Sequence, residues 1–212
     1  MSSESRIPEQ PTVAYWDALA ADFDDEPDHG LRDPVTRAAW AARLRAWLPG
    51  RPCEVLDLGC GTGSLALLAA EQGHQVTGVD LAPRMAELAR AKLAGTGATV
   101  LVGDAAEPPV GERRFDVVLA RHLLWALPGP ERVLRRWTGL LRPGGRLVLI
   151  EGRWGESDPV GLPAAELARL AEPLTTRTRV EQLAADSSLW GRPVSDERYV
   201  LIAEWPGAAG GR

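Results

Sequence analysis

Lysine is almost absent from this chain: Lys92 is the only one among 212 residues, so nearly all positive charge is arginine. We read that skew, with the abundance of alanine and glycine, as coding bias. The formal net charge is −5 with no basic stretch, and such a surface repels polyanions. Neither nucleic acid nor an anionic membrane is an expected partner. Cysteine is equally scarce. Cys53 and Cys60 flank one short apolar stretch, which is neither a disulfide framework nor a zinc spacing and points to a reducing compartment. No apolar run approaches the about 20 residues that a membrane span needs. The opening MSSESRIPEQP carries Glu4 and Glu9 without an apolar centre, so it does not read as a secretory signal. A soluble, cytoplasmic chain is expected.

What is present is enough for a core, with 45% hydrophobic residues, and the length suits one domain. That domain is expected over residues 12–206, between a disordered 1–11 and a flexible tail at 207–212. In residues 12–50, Val13, Trp16, Leu19, Ala20 and Phe23 recur at helical spacing until the acidic run DFDDEPDHG, read as a polar loop. A second helix opens with Asp33 as N-cap and Pro34 at its first position, and Trp40, Leu44, Trp47 and Leu48 form its apolar face. Trp16, Trp40, Trp47 and Trp137 all fall on such faces and read as core.

Residues 54–152 change pattern, with EVLDLG, QVTGVD, TVLVGD, FDVVLAR and RLVLIEG as strands. Helices fall between them at 64–72, 83–93 and 131–141. Strands alternating with helices, each strand a near-continuous apolar run, predict a parallel sheet covered on both faces. Residues 153–206 add a helix at 163–171 and the strands TRTRVEQL and RYVLIAEW, too close together for a crossover and so antiparallel. The expected fold is α/β and Rossmann-like. It has seven mostly parallel strands, an antiparallel last strand, and two N-terminal helices lidding the site.

The stretch VLDLGCGTGS, residues 55–64, is the sharpest signal. A strand ending in a glycine turn that feeds a helix lets backbone and helix N-terminus approach a ligand. Dinucleotide binding asks for G-x-G-x-x-G, but Ser64 stands where the third glycine belongs. A phosphate-cradling loop needs a lysine after its last glycine, and Lys92 lies in another helix. The turn therefore fits a nucleoside without phosphate. Asp80, about twenty residues on, ends the second strand where an acidic residue accepts ribose hydroxyls. Asp104 ends the third.

VLDLGCGTG, followed by VTGVDLAPRMAELAR and VGDAAEPP, resembles the class I S-adenosylmethionine-dependent methyltransferases, in particular the small-molecule branch with a type 11 methyltransferase domain. The resemblance runs over residues 54–152, more weakly over YWDALAADFD. It implies S-adenosylmethionine as methyl donor and S-adenosylhomocysteine as product. It places Asp57 and the Gly59, Cys60, Gly61 and Gly63 backbone at the methionine end and Asp80 on the ribose. Leu81 and Met85 fall on the adenine and ribose faces, Asp104 and Ala105 at the adenine edge, and Tyr15 in the opening segment. A second tyrosine common in that opening is Phe23 here. The stretch ARHLLW replaces the Asn-Pro-Pro-Tyr type motif of enzymes that methylate amines of DNA or protein, leaving a small molecule as the acceptor. No paired acidic set with metal spacing is present, so no metal is expected.

In open parallel sheets ligands bind beyond the carboxyl ends of the strands, where strand order reverses. That edge collects Arg121, His122 and Trp125 after the fourth strand, and Arg153 and Trp154 after the fifth. His29 and Trp190 lie in two loops expected to close over it. His122 is the first choice of base and His29 the second, because imidazole takes a proton near neutrality. Arg121 is read as a partner of the methionine carboxylate or of an acidic acceptor, and Arg153 with the tryptophans 125, 154 and 190 is placed on the acceptor side. The rival readings are an NAD(P)-dependent oxidoreductase of similar topology and a non-catalytic S-adenosylmethionine-binding protein.

Overall fold

The computed structural model describes residues 12–155 and 159–206; the expectations for 1–11 and 207–212 lie outside the described residues. The strands are Glu54–Leu58 (β1), Gln75–Asp80 (β2), Thr99–Val102 (β3), Phe115–Arg121 (β4), Leu141–Trp154 (β5), Val160–Gly161 (β6), Arg177–Gln182 (β7) and Glu197–Glu204 (β8). Seven of them lie in the order β3-β2-β1-β4-β5-β8-β7, with β6 added on β5. β1 to β5 are mutually parallel, and β8 runs antiparallel to both β5 and β7. The two-residue β6, which the sequence pattern did not signal, pairs antiparallel with the end of β5.

Alternation along buried strands fills two cores. Val55 and Val117 face helices Pro34–Trp47 (α3), Ser64–Glu71 (α4) and Pro83–Lys92 (α5). Leu56, Leu58 and Val118 face Pro130–Thr138 (α6) and Ala164–Ala171 (α7). Trp40 and Trp47 anchor the first core, Trp137 the second, all fully buried. At about 25 cal/mol per Å² and 150–250 Å² per aromatic ring, each contributes on the order of 4–6 kcal/mol of burial. Their indole N–H groups are satisfied: Trp40 donates to the Leu189 carbonyl at 2.7 Å and Trp137 to that of Ala105 at 2.8 Å. Trp16 instead joins a small satellite cluster with Ala20, Ala82 and Met85. α3 starts as read, with Pro34 first and the Asp33 carboxylate accepting the N–H groups of Val35 and Thr36.

Several local expectations change. The first helix is shorter, Val13–Leu19 (α1), and the acidic run is no polar loop. It forms a 3₁₀ turn at Phe23–Asp25 and one helical turn at Pro27–Gly30 (α2), because Asp24 has partners and Asp28 is buried. α6 stops at Thr138, and RPGG falls inside an irregular start of β5 whose register to β4 shifts between Phe115 and Val117. The link between β7 and β8 carries one helical turn, Ser187–Trp190 (α8).

Candidate cofactor and catalytic site

Strand order reverses between β1 and β4, so the crevice opens at the carboxyl ends of those two strands. The glycine turn leaves β1 there. Gly59, Gly61 and Gly63 have φ of 63°, 54° and 84°, left-handed backbone that favours glycine. Asp80 ties the turn to the end of β2: one carboxylate oxygen accepts Gly61 N–H at 2.8 Å, the other Ala82 N–H at 2.9 Å. A carboxylate offers about four lone-pair sites, so each oxygen keeps one beyond these two bonds. Burial raises the Asp80 carboxyl against these two hydrogen bonds. Asp57 sits below the turn, and burial pushes it up to about 7 although Arg121 opposes the shift.

The other sequence-derived positions are spread along this cleft. Cys60 is buried in the turn with its thiol raised well above the ordinary range, chiefly by burial, which makes it small filler beside Gly78 rather than a nucleophile. Asp104 is exposed and accepts Ala106 N–H at 2.8 Å, an Asx turn that presents Ala105. Leu81 is 40% exposed. Met85 points away from solvent into the satellite cluster, so helical packing accounts for it. Tyr15 is half-buried on α1, edge-on to Trp16.

A roof covers the turn, formed by Phe23–Gly30. The Phe23 ring lies 3.3 Å from where a Cβ on Gly61 would be and stacks on His29 at 4.3 Å. The lone lysine fastens this roof. Lys92 donates to Asp24 at 2.8 Å, to the Thr62 hydroxyl at 2.9 Å and to the Ser64 hydroxyl at 2.8 Å, and Thr62 donates to Asp24 as well. Lys92 lies outside the glycine turn in sequence, and its being the chain's only lysine is the one signal of this tie.

On the acceptor side, His122 takes a left-handed φ of 53° and donates its N–H to the Ile150 carbonyl at 2.8 Å. Its ring meets Trp154 edge-on at 4.8 Å, and its Nε2 is enclosed with no partner among the described residues. Burial first, then Arg121, holds the imidazole well below the usual 6.5; the same two causes lower His29. Both are neutral at neutral pH. His29, His122 and Asp28 bring one ligating atom each to within 4.8 Å of one another, a set of two imidazoles and a carboxylate that no sequence spacing signalled. The Arg121 guanidinium donates to the Asp28 carbonyl and lies over Trp40 at 5.2 Å. Its positive charge in this cluster opposes a dication.

Trp125 donates its indole N–H to the His122 carbonyl at 2.9 Å and packs at 6.0 Å from Trp154. Both rings are half-buried beside His122. Trp190 departs from its expected place at the mouth: it is buried in the α3 core, donates to the Leu183 carbonyl and stands 6.3 Å behind His122, because α8 turns its ring inward. Arg153 is exposed and borders a shallow surface groove with Arg192 and Asp196, outside the enclosed cluster. One residue went unnoticed in the apolar run RLVLIEG. Glu151 is fully buried, accepts the N–H groups of Leu123 and Leu124 at 3.0 and 2.7 Å, and is pushed up to about 7 by burial.

Comparison with known proteins bears on this arrangement. A family model described as a methyltransferase domain matches residues 56–149. The ubiquinone biosynthesis O-methyltransferase of Xanthomonas axonopodis pv. citri is 36% identical over 140 residues, 64% of this chain and 54% of that protein. The chain thus spans about half the length of the curated relatives it matches. The 1,6-didemethyltoxoflavin-N1-methyltransferase of Burkholderia thailandensis, solved with 1,6-didemethyltoxoflavin and S-adenosylhomocysteine bound, is 26% identical. Its TM-score is 0.66, over 92% of this chain and 88% of that one. The N-methyltransferase NodS of Bradyrhizobium japonicum is 18% identical with a TM-score of 0.69, over 90% of this chain and 98% of that one, a likeness of fold.

Proposed function

We propose that this chain, which belongs to the class I S-adenosylmethionine-dependent methyltransferases through the domain at residues 56–149, methylates a small-molecule acceptor and releases S-adenosylhomocysteine. The observation that carries the reading is the pairing of two halves across one crevice. On one side Asp80 and the glycine turn present free lone pairs and close backbone; on the other lies an enclosed imidazole nitrogen without a partner among the described residues. Bound S-adenosylmethionine supplies an electrophilic methyl group on a sulfonium.

The chain's own residues do the rest. Asp80 takes the ribose hydroxyls with its two remaining lone pairs, Asp57 faces the ammonium end of the methionine moiety, and Asp104 with Ala105 holds the adenine edge. Tyr15 and Leu81 flank that side, and Arg121 stands near the methionine carboxylate. Trp125 and Trp154 wall the acceptor, and the Phe23–Gly30 roof excludes water. His122 takes the proton of an acceptor hydroxyl or ammonium at Nε2, with His29 beside it. In-line methyl transfer depends mainly on alignment, and a neutral base held below its usual pKa stays unprotonated for that purpose. The reading needs no metal, nucleic acid or membrane. A cytoplasmic enzyme fits two free, buried cysteines, and no described helix is long and apolar enough to cross a membrane.

Titration calorimetry tests it. S-adenosylhomocysteine binds, NAD does not, and Asp80→Ala weakens the binding by tenfold or more. Binding of NAD without S-adenosylhomocysteine would mark an oxidoreductase. Tight S-adenosylhomocysteine binding with no turnover on a broad acceptor panel would leave only a binding protein.

A further inference from the structure

We propose that Glu151 is a positioning residue for the methyl transfer: one of its oxygens, by taking the N–H groups of Leu123 and Leu124, fixes the loop that carries His122 toward the acceptor. The inference rests on the methyltransferase reading above for its catalytic consequence, and on geometry alone for the anchoring.

The loop after β4 has little of its own to hold it. His122 occupies left-handed backbone without being glycine, a conformation that persists only where the surroundings over-determine it. Four hydrogen bonds do so: His122 N–H on the Ile150 carbonyl at 2.8 Å, the Trp125 indole on the His122 carbonyl at 2.9 Å, and the two successive amides on Glu151 Oε1 at 3.0 and 2.7 Å. Only the last two involve a side chain whose task is otherwise unexplained. Glu151 lies in β5 between Ile150 and Gly152, with no exposed surface. A carboxylate there is a cost unless it does something, since burying a charge is unfavourable without compensation. Converging amide N–H groups are what a carboxylate oxygen receives best, because charge-assisted bonds exceed neutral ones.

The same loop reaches the other half of the site. The Leu123 side chain lies 2.9 Å from where a Cβ on Gly59 would stand, so the register that Glu151 imposes sets both the direction of His122 and the wall behind the glycine turn. Glu151 Oε2 has no partner among the described residues. The anchor therefore works through one oxygen, and an uncharged isostere keeps it.

Hydrogen exchange and kinetics on the full chain test this with Glu151→Gln, Glu151→Ala and, if Ala fails to fold, Glu151→Asp, which withdraws the oxygen by one methylene. In Ala or Asp, the Leu123 and Leu124 amides should exchange at least tenfold faster while strand amides of β1 and β4 stay protected. The kcat for the acceptor should fall at least tenfold with KM for S-adenosylmethionine within about threefold, and Gln should remain within about threefold of the parent on both. Unchanged exchange at Leu123 and Leu124 overturns the anchoring, as does a Gln variant as impaired as Ala. A kcat that follows donor KM one for one overturns the positioning role. Absence of turnover in the parent, with the exchange result intact, would instead indict the methyltransferase reading.

Discussion

Leu123 and Gly59 meet so closely that a Cβ on the glycine would sit 2.9 Å from both δ-carbons of the leucine. The contact joins the loop after β4 to the turn after β1, two segments that approach only where the sheet order reverses. Gly59→Ala meets two penalties, a left-handed backbone worth about 1–3 kcal/mol and this clash. Urea unfolding should show a loss of at least about 1 kcal/mol. Adding Leu123→Ala should recover the clash alone, not the backbone part, giving a non-additive pair. A Gly59→Ala variant as stable as the parent would mean that the turn relaxes freely.

Asp57 offers a pH test. Its carboxyl is raised by burial to about 7, so the folded chain holds a proton that the unfolded chain, with an ordinary carboxyl near 4, has released between those values. Its contribution to stability is therefore present below about pH 4 and lost as pH rises toward 7. Asp57→Asn removes the titration. The stability of the variant relative to the parent should rise between pH 5 and pH 8, measured by denaturant midpoint, while affinity for S-adenosylhomocysteine falls several-fold. A relative stability that is flat with pH would place the shifted proton elsewhere.

His122→Ala should lower turnover by about a hundredfold and leave S-adenosylhomocysteine affinity within about twofold. Because burial and Arg121 both disfavour the imidazolium, the acid limb of kcat/KM in the parent should fall below pH 6.5. A turnover loss of under threefold demotes the residue to packing. An acid limb near pH 7.5 would assign the limb to another group.

Sequence periodicity located every strand of the parallel half to within a residue or two apart from the start of β5. The reason is physical: β1, β2 and β4 are buried on both faces and can only read as apolar runs. The glycine turn was legible for a different reason, since Gly59, Gly61 and Gly63 take left-handed backbone that favours glycine and Asp80 ties that turn to β2. The acceptor half was less so. Trp190 ends α8 and Arg153 lies near the end of β5, where side-chain direction depends on how α8 and β6 fold back, and neither a mouth nor a core tryptophan differs in spelling. The tasks of Glu151 and Lys92 were not legible because their partners, two backbone amides for the first and a carboxylate with two hydroxyls for the second, come from distant segments in contacts without periodicity. His29 and His122 were both named, yet only the fold shows them with Asp28 in one cluster.

The lone lysine has a practical consequence. Its ammonium is held by Asp24, Thr62 and Ser64, and its side chain is only 20% exposed. An acylating reagent thus meets a single lysine side chain, and that one is engaged in three hydrogen bonds. The rate at which a mass increment accrues on the peptide that carries Lys92 reports how often those three bonds are broken, readable with or without ligand and without any introduced label.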